Sequence, residues 1–140
     1  MTGDYSVWLQ LDPASSDYLE LKELIDEYSQ RYEDAPVFEP HITLLGGLSD
    51  NQSTINETAG AIAQKYQPLE VSFPRVHCST TRFQCVFLLV EPILELLSLH
   101  EDAVEMFGTG GGMYVPHLSL IYSDMELGER LKLTKEIDSR

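Results

Sequence analysis

The stretch Met113-Tyr114-Val115-Pro116-His117-Leu118-Ser119-Leu120-Ile121-Tyr122, MYVPHLSLIY, carries the decisive pattern of this chain. Val115, Leu118, Leu120 and Ile121 read as a buried strand, yet a histidine and a serine interrupt it. Imidazole and hydroxyl groups are costly to bury without partners. In a strand, residues i and i+2 point to the same face, so His117 and Ser119 make an imidazole-plus-hydroxyl pair ~6.6 Å apart along the backbone. The same arrangement occurs earlier, in Pro40-His41-Ile42-Thr43-Leu44, where it pairs His41 with Thr43.

Outward from these two stretches the elements repeat. Tyr5-Ser6-Val7-Trp8-Leu9-Gln10-Leu11 alternates at period two and reads as a strand. Ser15 or Ser16 caps a predicted helix to about Tyr32, with Leu21, Leu24, Ile25 and Tyr28 on one stripe. Pro36 and Pro40 lead into the His41 strand, which Gly46-Gly47 is expected to end. A helix follows from about Ser53 to Tyr66, then a strand from Leu69 to Phe73. Gln84 to Val90 is a nearly continuous apolar run, a strand suited to burial on both faces. Pro92 suits the first turn of a helix to about Phe107, with Gly108 ending it. The glycine loop at 108–112 is expected to be mobile, and a last helix fills Glu126 to Ile137.

Strand, acidic helix, then Pro-His-Ile-Thr-Leu describes residues 5–45; strand, acidic helix, then Pro-His-Leu-Ser-Leu describes residues 84–120. Val7 and His41 are 34 residues apart, Val86 and His117 31. Two units are too few for a solenoid. They predict two lobes facing one another, each presenting a histidine to a shared cleft.

Composition bounds the rest. At 140 residues the chain reads as one domain, 1–140, able to bury a core without staples. Its apolar share of 43% suits a globular protein and is too high for a disordered one. No apolar run reaches ~18 residues, so no membrane-spanning helix is expected. Met1-Thr2-Gly3-Asp4 lacks the basic and apolar regions of a signal peptide, and a cytoplasmic location is expected. Cys78 and Cys85 have no metal-ligand spacing and read as reduced packing residues. Acidic residues number 23 against 9 basic ones, a net charge of −14. Such a chain repels long polyanions and is a poor candidate for gripping RNA or DNA. The acids are spread evenly, which fits work in concentrated salt; an ordinary acidic cytosolic protein is the alternative.

The repeated pairs have a chemical use. Two imidazoles across a cleft serve as base and acid near neutral pH, since histidine titrates near ~6.5. Hydroxyls beside them donate hydrogen bonds to phosphate. Attack by water and departure of an alkoxide need opposite proton transfers, so two such pairs suit phosphodiester hydrolysis without metal or other cofactor. His-x-[Ser/Thr] alone is a weak signal, because His77-Cys78-Ser79 matches it without the flanking proline or apolar alternation. His77 reads as a loop or strand-end residue. His100, beside Glu101 and Asp102 in a predicted helix, reads as solvated or ion-paired. For His41 and His117 the alternative is a pair of hydrogen-bonded core histidines. The glycine loop follows a helix and precedes a strand, the reverse of a phosphate-cradling loop. Arg82 either faces substrate or pairs with a surface acid.

PHITL and PHLSL resemble the His-x-Thr and His-x-Ser signatures of the 2H phosphoesterase superfamily. YSVWLQLDP, VFEPHITL, RFQCVFLLVEP and MYVPHLSLIY, in order over nearly the whole chain, are together similar to its cyclic phosphodiesterase branch. The resemblance implies an α+β fold of two pseudo-symmetric lobes, mainly antiparallel sheet with outer helices, around a central cleft. It implies metal-independent hydrolysis of ADP-ribose 1″,2″-cyclic phosphate and nucleoside 2′,3′-cyclic phosphates. His41 and His117 would be the acid–base pair, Thr43 and Ser119 phosphate ligands, and Tyr122 an active-site tyrosine reaching phosphate or an ordered water. His117 is assigned as base and His41 as acid. The branch continues past the position of Arg140 with strands that complete the sheet, so this chain is expected to lack them. An exposed edge would then be left or covered by a second copy, making the protein a monomer or weak homodimer. Its partner is otherwise a small cyclic nucleotide, with no long nucleic acid and no membrane. Two alternatives are action on RNA 2′,3′-cyclic ends or 2′,5′ linkages, which the acidic coat opposes, and a nucleotide-binding module without turnover.

Overall fold

Ser15 turns the chain from strand to helix: its hydroxyl accepts from the Tyr18 amide at 3.1 Å, satisfying one of the donors a helix start leaves open. In the computed structural model, which describes residues 2–139, the order is β1 (Thr2–Gln10), α1 (Ser16–Arg31), β2 (His41–Asn51), α2 (Gln52–Ala63), β3 (Arg75–Cys78), β4 (Val86–Leu89), α3 (Leu94–Phe107), β5 (His117–Ile121) and α4 (Leu127–Asp138). The fold class is α+β. The strands are hydrogen-bonded in the order β1-β2-β5-β4-β3, and β2 with β5, β5 with β4 and β4 with β3 are antiparallel. Among the described residues no helix is long and apolar enough to cross a membrane.

Element ends shift by up to three residues in β1, α2 and β4, and two departures from the pattern are larger. β2 runs on through Gly46-Gly47 to Asn51. Gly47 adopts φ 66°, an irregularity that a strand absorbs, and Leu48 beyond it is still buried. The expected strand from Leu69 to Phe73 does not form. Leu69 packs instead as a partly buried side chain on a hydrophobic cluster, and the strand of that region is β3, which contains His77.

The chain divides into two compact units: residues 1–9, 43–72 and 91–116, and residues 10–42, 73–90 and 117–140. In the first, Leu44, Leu45 and Leu48 of β2 pack with Ile55 and Ile62 of α2 and Leu99 and Ala103 of α3. The glycine loop lies on this core. A Cβ at Gly110 would sit 2.2 Å from Leu45 Cδ1, so the chain passes there because no side chain intervenes. His100 belongs to the same unit and is neither solvated nor ion-paired. It is buried, and its ring stacks flat on Tyr114 at 3.9 Å.

In the second unit, α1 packs on β5, and α4 packs on β3 and β4. Ile25 and Tyr28 of α1, Leu133 of α4, and Val86, Leu118 and Leu120 of the strands are all buried. Tyr32 donates to Glu129 at 2.6 Å and Arg31 pairs with Glu136 at 3.1 Å, joining α1 to α4. Arg130 is buried and donates to backbone carbonyls alone: Nε to Met125 at 2.8 Å, Nη1 to Ser79 and Thr81 at 2.7 Å each, and Nη2 to Ser123 at 3.1 Å. Both cysteines are free thiols, and Cys85 is fully buried.

The units do not coincide with the sequence repeats. Each repeat sends its helix to the unit that its first strand is not in: β1 lies in the first and α1 in the second, β4 in the second and α3 in the first. The divisions fall directly after Ile42 and directly before His117, so His41 and His117 share the second unit. One histidine per lobe is therefore not the arrangement. A strand–helix–strand repeat carries its helix across to where a partner face exists, and the compact units follow packing rather than sequence order.

Candidate active site

β2 and β5 bring the two histidines together. Ile42 pairs with Leu118 across them, so the residues flanking each, His41 on one strand and His117 and Ser119 on the other, project to the opposite face. His41 is only 4% exposed. Its Nδ1 lies 2.8 Å from the Glu39 carbonyl. A carbonyl only accepts, so Nδ1 donates, and Nε2 is the nitrogen that exchanges protons. Phe38 stands edge-on to the ring at 6.0 Å. Burial pushes the His41 imidazole below its ordinary 6.5, the Glu39 carbonyl pulls it up, and charge on His117 pushes it down again.

His117 is half-buried, its ring tilted against Phe87 at 5.1 Å. Ser119, 4% exposed, hydrogen-bonds to the Tyr122 hydroxyl just beyond β5. Burial pushes the Tyr122 phenol above its ordinary value, and the bond from Ser119 acts the other way. Phe38 tilts over the Tyr122 ring at 4.5 Å, and the exposed Phe83 stands edge-on to it at 5.6 Å. The turn after Tyr122 is held by Asp34, which accepts from the Asp124 amide at 2.9 Å and the Ser123 hydroxyl at 2.8 Å. Those bonds, the Asp124 amide first, hold the Asp34 carboxyl below its ordinary value.

Of the residues read from the sequence, His41, His117, Ser119 and Tyr122 therefore lie in one unit. Thr43 falls in the other unit, two residues past His41 on β2, where its carbonyl accepts from the Tyr114 hydroxyl at 2.8 Å. Arg82 pairs with Asp34 and Asp124 at 3.3 and 3.0 Å, the surface-acid alternative. His77 sits within β3 and stands edge-on to Phe87 at 5.7 Å. The sequence reading missed Phe38 and Phe87, which pack against the site histidines. Phe38 was visible as an aromatic three residues before His41; Phe87 was hidden inside an apolar run. Among the described residues no group of three or more His, Cys, Asp or Glu side chains is placed to hold a metal ion.

Two imidazoles in mutual electrostatic reach, beside a serine–tyrosine hydroxyl pair, make a site for acid–base work on an oxyanion. The comparisons with known proteins agree in class. The family model described as "Cyclic phosphodiesterase-like protein" matches residues 1–140. The chain belongs to this family, which places it among cyclic phosphodiesterase-type enzymes. It is similar to a cyclic phosphodiesterase of Arabidopsis thaliana, 27% identical over 90% of this chain and 68% of the relative. It is also similar to a 2′,3′-cyclic-nucleotide 3′-phosphodiesterase of Yarrowia lipolytica, 29% identical over 96% of this chain and 64% of the relative. The chain thus spans about two thirds of the length of these curated relatives.

Proposed function

We propose that this protein hydrolyses small cyclic phosphodiesters, nucleoside 2′,3′-cyclic phosphates and ADP-ribose 1″,2″-cyclic phosphate, through His41 and His117 without a metal. The observation that carries this reading is the register of β2 and β5, which sets both imidazoles on one sheet face with the Ser119 hydroxyl. A neutral His41, its Nδ1–H bound to Glu39, is suited to be the base. This reverses the roles expected from the sequence. Nε2 takes a proton from water as the water oxygen bonds to phosphorus. The ring P–O bond breaks, and the His117 imidazolium gives its proton to the departing ribose oxygen, so charge and protons balance. Ser119 and Tyr122 supply hydroxyl donors for the non-bridging oxygens. Thr43 is a further phosphate ligand by strand alternation from His41.

The test is an assay of the purified chain against adenosine 2′,3′-cyclic phosphate and ADP-ribose 1″,2″-cyclic phosphate, before and after exhaustive chelation. Turnover that survives EDTA is expected. Loss of activity on chelation, restored by a divalent ion, would overturn the mechanism. Nucleotide binding by calorimetry without turnover would replace the enzyme with a binding module.

A further inference from the structure

Cross-strand partners in an antiparallel sheet project to the same face. The register sets His117, Leu89 and Arg75 in one row across β5, β4 and β3, and Ser119, Phe87 and His77 in the next. Leu118, Leu88 and Val76 lie between these rows and project to the opposite side. Ring contacts bear this out independently, since Phe87 touches His77 on one flank and His117 on the other. Arg75 and His77 therefore stand on the face that carries His117 and Ser119, two strands away. That separation is about 10 Å. β3 is the last strand of the order, so this face continues from the two histidines to the sheet edge.

Arg75 differs from the other arginines that the structure describes. Arg31 is paired with Glu136, Arg82 with Asp34 and Asp124, and Arg130 is enclosed by carbonyls. Arg75 is exposed, and among the described residues its side chain makes no hydrogen bond or ion pair. In a chain with 23 acidic against 9 basic residues, two of the four described guanidinium groups find a carboxylate and a third is enclosed by carbonyls. One held apart, on the face of a site for phosphate chemistry, has its planar donors available for another anion. The surrounding acidic field repels a multiply charged ligand, so a positive group at that place selects where such a ligand's second charge can rest.

We propose that Arg75 binds a second phosphate of the substrate. The proposal rests on the reading of the His41–His117 site given above. The substrate class it specifies is a cyclic phosphodiester that carries a further phosphate or diphosphate within about 10 Å of the cyclic one, two strand spacings away. A 5′-phosphorylated nucleoside 2′,3′-cyclic phosphate meets this description, and the bare nucleoside 2′,3′-cyclic phosphate does not.

The experiment compares those two substrates, with adenosine as the nucleoside, on the wild-type protein, Arg75→Gln and Arg75→Lys. Wild type is expected to favour the 5′-phosphorylated substrate in kcat/KM by roughly tenfold, expressed in KM. Arg75→Gln brings the ratio of the two close to one, Arg75→Lys keeps part of it, and molar sodium chloride erodes it. Because each variant is scored by a ratio, a loss of folded protein does not mimic the effect. The inference is overturned if wild type turns over both substrates without preference. It is equally overturned if Arg75→Gln keeps the preference or lowers both rates alike. Turnover of neither substrate by wild type would be a different failure, that of the hydrolase reading, and would remove the inference with it.

Discussion

β2 and β5 begin with nearly the same residues, yet their histidines live in different surroundings. His41 is sealed off, its Nδ1 bonded to a carbonyl of the chain just before it. His117 is half-buried and lies against the ring of Phe87. The hydroxyls differ as well: Ser119 is buried and bonded to Tyr122, while Thr43 is partly exposed and lies in the other unit. A repeated sequence thus does not make two equivalent imidazoles. Environment separates them, and a separated pair is what acid–base catalysis requires.

The largest test breaks the pair outright. His41→Ala and His117→Ala should each lower kcat by ~10²–10⁴ with little change in KM, while His77→Ala does far less. Unchanged rates in either of the first two variants would sink the mechanism. A smaller effect sharpens the contrast between the two rings. With His41 as base, kcat/KM rises with pH through a value below the ordinary 6.5. Phe38→Ala admits water to the ring, so the acid limb should move up toward 6.5. A limb that stays in place would show that burial by Phe38 is not what holds His41 down.

Stability follows the same sign. Burial lowers both His41 and His100, so below about 6.5 the unfolded chain takes up protons before the folded one. Their contribution is fully present above 6.5 and is lost as pH falls toward the lowered folded values. Melting temperature should accordingly drop on acidification from pH 7 toward 5.5, and less so in His100→Gln if that variant folds. A melting curve flat over this range would remove the argument for buried neutral rings.

The smallest effect concerns the acidic coat of the chain as a whole. Between 0.1 and 1 M sodium chloride the Debye length falls from ~10 to ~3 Å, relieving self-repulsion. Melting temperature should climb while KM for an anionic substrate rises. A flat melting temperature would leave an ordinary acidic protein.

Local signals made much of this legible. Ser15 and the stripe Leu21, Ile25, Tyr28 gave α1 within a residue at each end, because capping and period act within a few residues. His41, His117 and Ser119 stood out as candidates through the doubled motif, and Tyr122 only through the family resemblance. β3 was not, since Arg75–Cys78 is a short edge strand whose pairing with β4 is its main support, while Leu69–Phe73 alternates more clearly but packs as a loop. His100 could have been placed from Leu96, Leu99 and Ala103, the apolar stripe it shares. The partition into units was hidden because it depends on where each helix finds a face. The Nδ1–Glu39 bond and the Ser119–Tyr122 link arise only once the strands are registered.

Arg130 has a consequence for motion. Its guanidinium holds carbonyls at residues 79, 81, 123 and 125, on the segments that flank Phe83 and Tyr122. None of these loops can detach without stranding a buried cation. Amides of the β3–β4 connection, the turn after β5 and the first turn of α4 are therefore expected to open as one cooperative unit, with a shared opening free energy in hydrogen exchange rather than separate fraying. The loop that carries Phe83 inherits the persistence of α4, a helix that the chain reaches only after β4, α3 and β5.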